Sequence, residues 1–169
     1  MKSLNSQIDT MFNETIYHVE ADNSRRIKKL TIRFTKSNQK YSYEHLEALL
    51  GSYEKAISEI PRQFLRVEKS ARQKYLVSLD EDRRKQLFKV MVSHVEMLVE
   101  KMNREYRDIF DNQKRLGEFD NRIKSSLVDG KRRIDKEIRK VSENLKKTLN
   151  STSKIKPEEL AKIYNLDES

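Results

Sequence analysis

Three histidines fall in one pattern: His18-Val19-Glu20, His45-Leu46-Glu47 and His94-Val95-Glu96. Imidazole and carboxylate are the groups of metal centres and of general acid–base catalysis. On a helix this spacing works against both, because two side chains two residues apart point ~200° away from each other. Metal ligation needs several groups converging, typically at i and i+4 or through a closed loop. The histidines therefore read as surface or rim residues. Three isolated glycines leave no glycine-rich phosphate loop, and no HExxH or nucleophile motif occurs. Most carboxylates sit beside bases, as solvated i, i+4 partners on helices do. No catalytic residue, metal site or cofactor is expected, and an enzyme is the class the sequence supports least.

The chemistry the chain does carry is cationic. RRIKKLTIRFTKSNQK, residues 25–40, holds seven basic side chains and no acid. A second block, residues 131–147, sets eight bases against three acids. The whole chain is +9 at neutral pH, with a pI near 9.6. Such a surplus favours polyanions: nucleic acid, anionic lipid or an acidic protein. The candidate contact residues are Arg25, Arg26, Lys28, Lys29, Thr31, Arg33 and Lys36, with Lys131, Arg132 and Arg133 from the second block. That second block reads either as a solvated coiled-coil face or as a set of phosphate contacts without sequence information. An anionic membrane ranks third among the partners, since it leaves the form of the first block unexplained.

That form is the unusual one. Ile27, Leu30, Ile32 and Phe34 are apolar, while Lys29, Thr31, Arg33 and Thr35 supply an alternating polar set, which predicts a half-buried β-strand. Ile27, Leu30 and Phe34 also fit a helix. A lone strand needs a partner, and no second strand of comparable quality is present. A homodimer would supply it, pairing the two copies about a two-fold axis. The ribbon would then put Lys29, Thr31 and Arg33 into a DNA major groove. LTIRF, followed by two helices, resembles the ribbon-helix-helix DNA-binding family. The resemblance spans about forty residues and implies base reading at Lys29, Thr31 and Arg33. It also implies a turn near Gly51 and a second helix that meets phosphate. The long loop KSNQKYS and the position of Pro61 depart from the family pattern.

The elements that must carry these residues are helical. Ile8, Met11, Phe12, Ile16 and Val19 predict a short helix, or a docking arm, within residues 1–24. Ser42 is the predicted cap of a helix from Tyr43 whose stripe is Leu46, Leu49, Leu50, Tyr53, Ile57 and Ile60, with a break or a new start at Pro61. Phe88, Met91, Val95, Leu98, Met102 and Ile109 predict a long helix ended by Gly117, and Ile134, Ile138, Val141 and Leu145 another from Asp120 or Asn121. The expected architecture is mainly α, with one short N-terminal strand and an antiparallel helical hairpin, forming a dimer. Residues 1–24 make an arm or short helix, 25–79 the DNA-binding module, 80–149 the hairpin, and 150–169 a linker and short terminal helix. The expected function is non-enzymatic DNA binding by a homodimer, as in a repressor, partition or relaxosome accessory protein. The alternative is a helical scaffold or adaptor that holds a protein partner through 80–149 or 155–166. No cysteine, no spanning apolar run and no signal core point to the cytoplasm, or the nucleus of a eukaryote.

Overall fold

The structure is a computed structural model that describes residues 3–110 and 117–152. The described residues form four helices: α1 (Leu4–Lys36), α2 (Tyr43–Tyr75), α3 (Glu81–Phe110) and α4 (Gly117–Thr152). The terminal helix expected at 155–166 lies outside the described residues.

The N-terminal strand is not formed. Residues 25–36 are the last third of α1. No glycine or proline precedes Gly51, so nothing stops a helix begun at Leu4. Along it Ile27, Leu30 and Thr31 are half-buried and Phe34 is buried, a period of three to four residues. Ile32, which completed the apparent alternation, is 47% exposed. The β-branched threonines are accommodated because their hydroxyls donate to the preceding turn, Thr31 to the Ile27 carbonyl (3.0 Å) and Thr35 to that of Thr31 (2.7 Å). The base-reading ribbon needs that strand, so it does not exist here, and the pairing argument for a dimer lapses with it.

Ser42 caps α2, its Oγ accepting from the His45 amide at 3.1 Å. The helix then runs unbroken through Gly51 and Pro61, against the expected turn and break. Pro61 costs one backbone hydrogen bond but is buried in the core. Asp80 starts α3, its carboxylate accepting from the Arg83 amide (2.7 Å). Gly117, expected to end α3, begins α4.

The helices run alternately up and down, and α2 is central, packing on α1, α3 and α4. The hairpin of α3 and α4 is thus covered by a layer from the same chain. Phe12 of α1 stacks on Phe64 of α2 at 4.6 Å, and Met91, Val95, Leu98 and Met102 of α3 meet Ile134, Ile138 and Leu145 of α4 in the same core. Each such buried side chain stabilises the fold by roughly 1.5–3 kcal/mol. Leu87 is buried where Phe88 was expected, and Phe88 is 36% exposed.

Candidate nucleic-acid interface

Helical geometry sorts the bases of α1. Its inward residues over the last third are Ile27, Leu30 and Phe34, so the positions opposite face solvent. Arg25, Lys28, Lys29, Ile32, Arg33 and Lys36 are all exposed, at the i, i+3, i+4, i+7, i+8, i+11 spacing of one face. Five of the six are bases and none is an acid. Arg25 pairs with Asp22 on its own helix. Lys28, Lys29, Arg33 and Lys36 have no ion-pair partner among the described residues. Arg33 lies over the Phe34 ring, 5.5 Å from its centroid. Just beyond the helix, Lys40 lies 4.8 Å over the exposed Tyr41 ring.

Two of the expected contact residues point elsewhere. Arg26 is half-buried, with Nε donating to Ser52 Oγ (3.1 Å) and Nη2 to the Ser52 carbonyl (3.2 Å). Ser52 in turn donates to the buried Asn23 (2.8 Å), which pins α1 to α2. Thr31 is half-buried and donates to its own helix, so it is not an outward reader.

The second block lies on α4, which packs chiefly on α2 and α3. Lys131 reaches Glu96 of α3 at 3.2 Å, and Arg132 lies 3.9 Å from Asp129. Arg133 is exposed beside a small cleft between α2 and α4.

The packing beneath the α1 face is aromatic. Phe34 stacks on His45 of α2 at 4.7 Å, and Nδ1 of His45 accepts from the Tyr41 amide at 2.9 Å. His45 is 1% exposed, not at the rim as expected. Burial, and then the charge of Lys40, hold its pKa below 6.5, so the imidazole stays neutral. His94 is shifted in the same direction by burial. His18 is exposed on α1. The three histidines lie apart, and no group of three His, Asp or Glu is placed to hold a metal among the described residues.

One further polar pair lines the cleft between α1 and α3. Tyr53 donates to Glu105, whose pKa burial raises; the Tyr53 hydroxyl is itself pushed well up by burial and by that carboxylate. The pair is a phenol and a carboxyl group that satisfy a polar interruption of the α3 seam. No helix is long and apolar enough to cross a membrane among the described residues.

The bases that sequence reasoning passed over are on α2: Lys55, Arg62 and Arg66 line a furrow against α1. Their spacing of seven and four residues is a helical signal, but the expected break at Pro61 divided it. No protein-family model matches the sequence, and no curated protein or solved structure matches it.

Proposed function

We propose that this protein binds nucleic acid without catalysing a reaction, holding the phosphate backbone against the outer face of α1. The observation that carries this reading is the run of six outward positions, Arg25, Lys28, Lys29, Ile32, Arg33 and Lys36, which contains five bases and no acid. Solvated helix faces ordinarily mix the two signs so that i, i+4 pairs form. Four unpaired cations on one rigid face instead present a row of donors to a polyanion. Phosphate contacts of this kind position a ligand without reading its bases. Sequence-independent binding is therefore the expected mode, in place of the groove reading implied by a ribbon.

Fluorescence anisotropy with a random duplex pool across a salt series tests it. Contacts from the four unpaired bases give a slope of log K against log salt of about −3.6 on duplex, since each contributes ~0.9. Replacing Lys28, Lys29 and Arg33 by Gln should flatten that slope by about 2.7. Binding unaffected by the triple change sinks the reading. The adaptor alternative would then lead, through the apolar furrow at the start of α1 where Met11 (48% exposed) and Tyr75 (51%) flank Ile8 and Val67.

A further inference from the structure

Between α1 and α2 runs a furrow of about 510 Å³. Its floor includes Val19 and Ala56, side chains too short to close the space between the helices. Four bases line it, Arg26 from α1 and Lys55, Arg62 and Arg66 from α2, against two acids, Asp22 and Glu59. Both acids are already engaged: Asp22 holds Arg25, and Glu59 accepts from Arg62 (2.9 Å) and Gln63 (3.0 Å). Lys55 and Arg66 are exposed and have no ion-pair partner among the described residues. Arg26 is fixed by Ser52, and Asp22 at the furrow wall pairs with Arg25, the first base of the outer face.

Shape decides which nucleic acid such a furrow admits. Packed helices lie ~8–10 Å apart axis to axis. A duplex, whose grooves alone are ~6–12 Å wide, is too broad to enter between them. A single phosphodiester chain is not, and from Lys55 to Arg66 the helix offers it about 16 Å of lined path, eleven residues at ~1.5 Å each. We infer that the α1–α2 furrow takes the backbone of a single strand, so that the protein prefers single-stranded nucleic acid to duplex. This rests on the polyanion reading above and adds residues that the outer face does not contain. The exposed outer face of α1 is open to either form; the furrow accepts one.

The experiment compares a labelled oligothymidylate of about 12 nucleotides, within the ~4–16 typical of single-strand sites, with a duplex of equal length. Full-length protein is used, as wild type, as Lys55→Gln with Arg66→Gln, and as Lys28→Gln with Lys29→Gln. Wild type is expected to bind the single strand ~10-fold or more tighter than the duplex. The furrow variant is expected to lose ~10-fold on the single strand and under ~2-fold on the duplex, while the outer-face variant weakens both. Circular dichroism confirms that the surface changes leave the helices formed. Duplex bound as tightly as the single strand, or a furrow variant indistinguishable from wild type, overturns the inference while leaving the α1 reading in place. Wild type that binds neither form overturns both.

Discussion

Arg83 and Arg33 are the same side chain in opposite circumstances. At one end of the bundle, where α1 and α3 begin and α2 ends, Arg83 is 2% exposed and donates to both oxygens of Glu68 at 2.9 and 2.8 Å. Arg72, 3% exposed, donates to the same carboxylate at 2.7 Å, to the Ser78 carbonyl and to Asn5 of α1. Asp9 of α1 adds a second carboxylate 2.9 Å from Arg83. Here the guanidinium forks are used up in tying three helices together. At the other end, where α1 finishes, Arg33, Lys28, Lys29 and Lys36 project into water. The total charge is blind to this difference. What separates a structural base from a binding base is whether the fold has already supplied its acceptors.

The comparison breaks most forcefully at Glu68, which is fully buried and balances two guanidiniums. Glu68→Gln keeps its size and removes its charge, leaving Arg83 with Asp9 and Arg72 with only the neutral acceptors Ser78 and Asn5. The expected loss is about 3–5 kcal/mol of unfolding free energy, as when one member of a buried ion network is removed. Urea denaturation measures it. A loss under ~1 kcal/mol would mean that water reaches these arginines, and that the two ends differ less than their burial implies.

At the opposite end, the Lys28, Lys29 and Arg33 triple change is expected to move stability by no more than ~0.5 kcal/mol, as exposed substitutions do. The same protein should show the flattened salt slope in DNA binding. A substantial fall in stability would make the outer face part of the scaffold and remove the contrast with Arg83.

His45 sharpens the boundary between face and core. Its pKa is lowered by burial, so neutral imidazole is the form the fold favours. Its contribution is present above pH 6.5 and is lost as pH falls through the folded value. His45→Asn retains an acceptor for the Tyr41 amide but gives up the stack on Phe34, an expected cost of about 1 kcal/mol at pH 7. The gap between wild type and variant should narrow as pH drops below 6.5, since only wild type has this group to protonate. His94 and Glu105 titrate in both proteins and cancel in the difference. A gap constant from pH 7 to 5 would show that the site admits the imidazolium.

The helices themselves were legible because their apolar residues recur at three and four. The Leu46–Ile60 stripe, the Met91–Met102 seam and the Ser42 cap are where periodicity puts them. Residues 27–35 misled because Ile32 and the threonines satisfy a period of two over a short window, and only the unbroken helix upstream decides between the two. Pro61 misled for a related reason: local propensity opposes a helix there, while burial on the central helix outweighs the missing bond. The candidate site was half legible. Its composition pointed to Lys28, Lys29, Arg33 and Lys36, but pairing is a property of three dimensions. Nothing in the sequence says that Arg26 belongs to Ser52, or that Lys131 belongs to Glu96. The α2 bases became visible only once α2 was continuous.

The smallest effects test how tightly the interior that supports these faces is packed. Gly130 of α4 is buried, and a methyl group there would meet Val95 Cγ1 at 3.0 Å and Ile57 Cγ2 at 3.3 Å. Those atoms belong to two other helices, so both would have to give by a few tenths of an ångström. Gly130→Ala gains about 1 kcal/mol of helix propensity but incurs an overpacking cost of about 1–3 kcal/mol, so a net loss near 1 kcal/mol is expected. Gly51 of α2 has the same helical setting, but its nearest neighbour would be Arg122 Nη2 at 3.8 Å, the end of a flexible side chain. Gly51→Ala should therefore stabilise, by roughly 0.5–1 kcal/mol. Opposite signs in thermal unfolding would show that α4 is held against α2 and α3 by close packing where Gly130 sits. Equal stabilisation by both would mean that the core there yields by a few tenths of an ångström, leaving the ion network around Glu68 as the more rigid constraint.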